Sequence, residues 1–352
     1  MLQILREVRP SLISWYEREK REMPWRSDPT PYHVYVSEIM LQQTRVDTVR
    51  PYYLRFIAEL PDIAALASCE ESRLLKLWEG LGYYSRVRSM KKAAGKIVEK
   101  YGGKIPSSYS ELLKLPGIGA YTAGAVSSIA FHEKEAVVDG NVLRVLSRLT
   151  GSEDNIDLDS TRENYRKLLK SFLTEDGTDP AVFNQSLMEL GALVCVPNAE
   201  PRCEVCPLAS SCRAFRENRT DMLPVRSPKI PRKKAEITCF LIFRDSCLLL
   251  VKNDRKRLLS GLYALPHYEG RPDPGKTAAF LSSIGIESES ERILPDRKHI
   301  FTHIEWQMHG IEILTKSSPP SAGSGYRFFN SEELENEAAV PEAYRKWGLK
   351  AH

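Results

Sequence analysis

The stretch Leu115-Pro-Gly-Ile-Gly-Ala-Tyr-Thr-Ala-Gly-Ala limits the possible folds more than any other part of the chain. A proline and two closely spaced glycines, Gly117 and Gly119, end one helix and allow another to start within a few residues. Glycines on either side of Ile118 leave backbone amides bare enough for a bulky ligand to approach. The helix that follows directs its positive end at the same spot, which suits a phosphate. Behind it, Ala123, Gly124 and Ala125 permit close packing. One helix further on comes Ala136-Val-Val-Asp-Gly-Asn-Val, in which a lone carboxylate, Asp139, stands at a Gly-Asn turn between apolar runs. An anion anchor followed by an isolated acid points to chemistry on a nucleic acid.

The first 215 residues read as mostly helical, with apolar positions at helical spacing over Ile4 to Tyr16, Val34 to Thr44, Leu74 to Trp78, Met90 to Val98 and Phe183 to Val194. Gly80-Leu-Gly and Gly102-Gly103 mark loops. Residues 223–234 then carry three prolines with Arg226, Lys229, Arg232, Lys233 and Lys234, the composition of a semi-extended basic linker. Beyond it, Ile237 to Phe243, Leu248 to Val251 and Ile311 to Thr315 read as strands and Thr277 to Ile284 as a helix, which makes a smaller α+β domain. At 352 residues the chain can bury two cores. A net charge of +4 permits nucleic-acid binding without requiring it. No apolar run is long enough to span a membrane, and the first 21 residues mix acids and bases unlike a signal peptide. The expected location is the cytoplasm, in association with the nucleoid.

Two further patterns carry chemistry. Tyr32-His-Val-Tyr-Val-Ser-Glu-Ile-Met-Leu-Gln-Gln-Thr-Arg holds one acid, Glu38, in an apolar helix with Val34, Leu41 and Arg45 on its face. Apolar walls raise a carboxyl pKa towards neutrality, as a general acid requires. Cys195, Cys203, Cys206 and Cys212 are spaced C-x7-C-x2-C-x5-C, which by itself allows zinc or an iron–sulfur cluster. Cys69, Cys239 and Cys247 read as buried spectators.

The glycine hairpin with Val138-Asp-Gly-Asn-Val, the run Ser37-Glu-Ile-Met-Leu-Gln-Gln-Thr and the cysteine set resemble the helix-hairpin-helix DNA glycosylases. The resemblance is greatest to the adenine glycosylases of the MutY family and covers nearly the whole chain. It implies an all-α helix-hairpin-helix catalytic domain over residues 1–222 with an iron–sulfur loop at 195–212, the linker at 223–234, and a Nudix-like lesion-recognition domain at 235–352. It further implies a [4Fe–4S] cluster on the four cysteines, although the first spacing here is one residue longer than the commoner C-x6-C.

The resemblance also distributes roles. Glu38 protonates the adenine, Asp139 steadies the sugar cation, and Asn141 orients Asp139 or the water. Tyr121 lies against the catalytic Asp, where lyase relatives carry a lysine, so no imine forms and the enzyme only hydrolyses. Trp25, Arg26 and Gln185 border the adenine pocket. Gln43 and Tyr83 enter the base stack, with Leu81, Gly117, Ile118 and Gly119 also against DNA. Phe301-Thr302-His303 stands where the family has Phe-Ser-His reading 8-oxoguanine. No acid cluster of a Nudix box follows Leu262-Tyr-Ala-Leu-Pro, so the second domain is expected to hydrolyse no nucleotide. The implied partner is duplex DNA bearing adenine opposite 8-oxoguanine or guanine, bound by a monomer. The alternatives are an endonuclease III-like pyrimidine glycosylase/lyase and a catalytically silent DNA-damage binder.

Overall fold

A computed structural model describes residues 1–197, 199–228, 230–253, 259–318 and 325–349, and of Asp176 the backbone alone. The chain divides into two compact units: Met1–Ser68 with Arg88–Pro228, and Cys69–Val87 with Lys229–His352. The second unit thus draws a segment from the middle of the helical region.

The first unit is helical. Helix Leu2–Glu19 buries Leu5, Val8, Leu12, Trp15 and Tyr16, an apolar stripe of helical period. That stripe packs into one core with helices Gly140–Thr150, Asp159–Asp176 and Pro180–Leu193. Helix Gly140–Thr150 begins at Asp139, whose side chain accepts from the Val142 amide, and ends at Gly151 in a left-handed conformation (φ 66°). Helix Pro31–Leu41 starts with Thr30 as cap and Pro31 in its first turn, and buries Tyr32 through Met40 except His33. It stops three residues before the apolar spacing suggested, because Gln43 turns the chain at φ 59°. Helix Ala120–Ala125 widens without a break into a π-type turn at Val126–Ala130. There the hydroxyls of Ser127 and Ser128 donate back to the carbonyls of Ala123 and Gly124.

The second unit is built on a mixed sheet of β1 (Lys233–Arg244), β2 (Cys247–Lys252), β3 (Tyr263–Ala264), β4 (His267–Glu269), β5 (Ser290–Ile300), β6 (Ile304–Leu314) and β7 (Tyr326–Phe329), with main order β3-β2-β1-β6-β5. β1 and β6 pair in parallel along their whole length, and the other pairings are antiparallel. Odd positions of β1 (Ile237, Cys239, Leu241, Phe243) enter one core and even positions (Phe240, Ile242) the other, so both faces are buried at period two. Helix Pro274–Ser283 supplies Leu281 to the second of these cores.

The expected helical first part and α+β second part are both present. Three details differ from the sequence reading. Lys233 and Lys234 already belong to β1, and residues 223–227 are fastened to the helical unit instead of forming a tether. Arg148 donates to the Leu223 carbonyl, Ile156 to that of Val225, and the Ser227 amide to Asp157. Lys229 lies outside the described residues. Of the three spectator cysteines only Cys239 is buried; Cys69 and Cys247 are partly exposed, one in a loop and one at the first residue of a strand after a tight turn.

Candidate active site

Glu38, Tyr121, Asp139, Asn141, Trp25, Arg26 and Gln185 all line one cavity of about 690 Å³ in the helical unit. That size suits a small planar ligand with its surroundings.

Helix Pro31–Leu41 is apolar on nearly every side, so it carries Glu38 into the interior, where the residue is 6% exposed. Burial, which penalises the carboxylate, pushes the Glu38 pKa up to about 7; the Tyr121 hydrogen bond opposes this and the charge of Asp139 adds to it. The Tyr121 hydroxyl donates to Glu38 Oε2 at 2.7 Å, leaving Oε1 without a hydrogen bond among the described residues. The sequence reading placed Tyr121 against Asp139. Its hydroxyl instead serves Glu38, with Asp139 as an electrostatic neighbour, because helix Ala120–Ala125 packs beside the Glu38 helix.

Asp139 is both helix cap and candidate catalytic acid. Its Oδ1 accepts from the Val142 amide at 2.8 Å and its Oδ2 from Asn141 Nδ2 at 2.7 Å. Burial raises its pKa, while those two bonds and the helix N-terminus favour the anion. Asn141 is held in turn: its Oδ1 accepts from Arg144 Nη2 at 2.9 Å, and Arg144 also donates to the carbonyls of Gly191 and Cys195. At Gly191 the helix backbone passes so close that a β-carbon would stand 2.5 Å from Asn141 Cβ. Asn184 fixes the approach to Asp139 by accepting from the Val137 amide and donating to the Glu135 carbonyl and to Ser128.

Arg26 borders the cavity with its guanidinium engaged. It donates to Glu189 Oε2 at 2.8 Å, and Arg21 grips the same carboxylate through Nε and Nη2. Burial pushes the Glu189 pKa up, but the two arginines outweigh it and hold the group down to about 2. Trp25 is buried with its ring edge-on to Tyr53 at 5.2 Å. Gln185 donates Nε2 to the Ala181 carbonyl within its own helix. Sequence reasoning missed Glu189, Asn184 and Arg144. Each is a polar residue in a helix whose neighbours are apolar, the same signal that picked out Glu38.

The hairpin residues are where the glycine pattern puts them. Gly117 adopts φ 76°, and a β-carbon there would lie 2.5 Å from Ser89 Cβ. Gly119 precedes helix Ala120–Ala125, while Ile118 is buried and offers only its backbone. Gln43 is exposed on its left-handed turn, and Gln42 ties that turn to the hairpin helix through Thr122 at 3.2 Å. In the second unit Tyr83 is exposed at φ 48°, whereas the Leu81 side chain is buried and unavailable to a ligand. Phe301, Thr302 and His303 form the turn between β5 and β6. Phe301 is partly buried against His299 and Trp306 (ring centroids 4.5 and 4.8 Å away), and Thr302 and His303 are exposed. Thr302 and Tyr83 share a hydrogen bond of 2.9 Å.

Cys195, Cys203, Cys206 and Cys212 surround one small cavity, beside which Arg148 Nη1 donates to Cys195 Sγ at 3.2 Å. Among the described residues no three His, Cys, Asp or Glu gather tightly enough for a single metal ion. As a donor set, four thiols lining one cavity suit a soft metal or an iron–sulfur group. Among the same residues no helix is long and apolar enough to cross a membrane.

A buried acid poised near neutrality and a second carboxylate capping a helix start thus line one cavity. The family model for HhH-GPD superfamily base excision DNA repair proteins matches residues 36–171, and that for a NUDIX domain matches 238–347. The fold and the site thus define a base excision DNA glycosylase with an appended Nudix-like domain. A mouse (Mus musculus) adenine DNA glycosylase is 34% identical over 96% of this chain and 76% of its own length. One from Buchnera aphidicola subsp. Baizongia pistaciae is 33% identical over 86% of this chain and 85% of its own. A solved thermostable thymine-DNA glycosylase superposes with a TM-score of 0.56 at 27% identity, covering 61% of this chain and 98% of that one. The chain belongs to the adenine DNA glycosylase family. It acts in base excision repair, removing adenine, and this reading prevails over the pyrimidine glycosylase/lyase and the silent binder.

Proposed function

We propose that this enzyme excises adenine paired with 8-oxoguanine or guanine in duplex DNA by hydrolysis alone, leaving an abasic site. The observation that carries the reading is the pairing of Glu38, poised near pH 7, with hydrogen-bonded Asp139 in one cavity. Protonated Glu38 delivers its proton to the extruded base, so that the base leaves neutral. As the bond to C1′ lengthens, positive charge grows on the sugar, and anionic Asp139 faces it. Water then completes the exchange, and the Asp139–Asn141 pair orients it. The scheme follows the two-carboxylate logic of glycoside hydrolysis, with Glu38 in the less polar setting and Asp139 held by hydrogen bonds from Asn141 and the Val142 amide. Tyr121 holds Glu38 and offers no amine, so no imine links enzyme to sugar.

Gln185 reads the adenine edge with its amide, as a side-chain amide can. Trp25 and Arg26 wall the pocket. Gln43 and Tyr83 fill the stack that the extruded base leaves, on turns whose backbone presents them outward. The Gly117 and Gly119 amides take a phosphate, with Ile118 between them holding the turn by donating its amide to the Leu115 carbonyl. Thr302 and His303, with Phe301 behind them, read 8-oxoguanine. Cys195, Cys203, Cys206 and Cys212 hold a [4Fe–4S] cluster, which staples loop 195–212; no step of excision passes through it. The protein acts as a monomer in the nucleoid.

The test is a duplex with one adenine opposite 8-oxoguanine, incubated with enzyme and divided. Strand scission at that adenine only after alkali supports the reading. Scission without alkali, or none at all, rejects it.

A further inference from the structure

Within the second unit, the segment before Tyr83 is bound to the chain's far end through one carboxylate. Glu79 Oε1 accepts from the Val340 amide at 2.7 Å and from Arg345 Nε and Nη2 at 3.1 and 2.5 Å. Glu79 Oε2 pairs with Lys76 Nζ at 2.7 Å, and Lys76 also donates to the Leu334 and Ala338 carbonyls, both at 3.0 Å. The Lys76 and Glu79 side chains are only 12% and 14% exposed, so solvent screens these bonds weakly.

The loop that begins at Gly80 is rigid by its own contacts. Trp78 Nε1 donates to the Gly82 carbonyl, the Gly80 amide to the Tyr84 hydroxyl, and Arg86 Nη2 to the Leu81 and Gly82 carbonyls. The Arg86 guanidinium lies over the rings of Trp78 (5.3 Å) and Tyr83 (5.4 Å). Such a loop moves as one piece, so its base decides where Tyr83 points. The base is fixed by Glu79, and the tip meets Thr302.

We infer that Glu79 is a positioning residue for opposite-base discrimination. By anchoring the Gly80–Tyr84 loop to residues 338–345, it keeps Tyr83 in register with Thr302, so that two segments far apart in sequence present one preset reading edge. This rests on the opposite-base reading proposed above. Neither Glu79 nor its partners belongs to the excision chemistry, so losing the anchor should cost recognition and leave bond cleavage intact.

The experiment measures single-turnover excision against enzyme concentration for adenine opposite 8-oxoguanine and opposite guanine, with full-length wild type and Glu79→Ala. The expected result is a roughly tenfold rise in the half-saturating concentration for the 8-oxoguanine duplex, the scale of a lost charged hydrogen bond. The guanine duplex should shift less than twofold, and the plateau rate should hold on both. Equal shifts on the two duplexes, or none, overturn the inference while leaving the function intact. A wild type that treats the two duplexes alike overturns the opposite-base reading itself, and this inference with it. Should Glu79→Ala fail to fold, Glu79→Gln keeps an acceptor for Val340 while removing the charge that faces Lys76 and Arg345, and the same ratio of shifts decides.

Discussion

The proposed excision site and the proposed reading edge are built by opposite means. Glu38 is buried and Asp139 half-buried in the helical unit, where low polarity and a few fixed hydrogen bonds move their proton affinities. Tyr83, Thr302 and His303 are exposed and owe their placement to turns: a left-handed residue at Tyr83 and a hairpin between β5 and β6. In the roles proposed above, chemistry depends on desolvation, which tolerates little change in the surrounding wall, and recognition on backbone placement, which tolerates a change of side chain at smaller cost. The two regions should therefore respond to substitution on different scales.

The largest effect should come from Glu38→Gln, which keeps shape and removes the proton donor. Excision at saturating enzyme should fall about 10³-fold or more, within the range for a lost general acid, while duplex binding in a gel-shift assay stays near wild type. The same variant should be more stable than wild type at pH 8. The folded-state pKa of Glu38 is raised, so the stability it leaves intact below pH 4 is lost as pH rises through about 7, up to about 3 kcal/mol. Equal melting temperatures for the two proteins at pH 8 would contradict that burial argument.

Next in size is Glu189→Gln, which strands Arg21 and Arg26 beside the cavity. Breaking a buried pair of this kind costs about 3 kcal/mol or more, measured by urea unfolding at pH 7. Because the folded pKa is depressed to about 2, this stability is present above about pH 4 and disappears as pH falls towards 2, so the variant and wild type should converge in acid. Third, wild-type excision at saturating enzyme should decline about tenfold per pH unit above pH 7, as Glu38 loses its proton. A flat profile to pH 9 would remove Glu38 from the acid role. The smallest effect belongs to the exposed region. Thr302→Val deletes the partner of the Tyr83 hydroxyl and should reduce preference for 8-oxoguanine over guanine about fivefold, the worth of roughly 1 kcal/mol, with no change in melting temperature. A loss comparable to that of Glu38→Gln would erase the contrast between the regions.

What could be read in the sequence follows the same division. Glu38 and Asp139 were visible because a single acid among apolar residues is conspicuous, and the hairpin because glycine with φ near 76° has few substitutes. The alternation of β1 was legible for the same local reason. β5 was not, since its side chains are largely exposed and carry no apolar period. The partnership of Tyr121 with Glu38 was also hidden, because it depends on how two helices pack. Least legible was the membership of residues 69–87 in the second unit. Lys76 and Glu79 meet partners some 260 positions away there, and nothing local marks a lysine in the last turn of a helix and a glutamate just past its end as different from any other charged pair.

The contact at Gly191 has a consequence for judging natural variants of this enzyme. A single added methyl at that position would press on Asn141 and disturb the support of Asp139 while leaving both candidate catalytic acids in place. Such a protein would keep Glu38, Asp139, the glycine hairpin and the four cysteines and still remove adenine slowly.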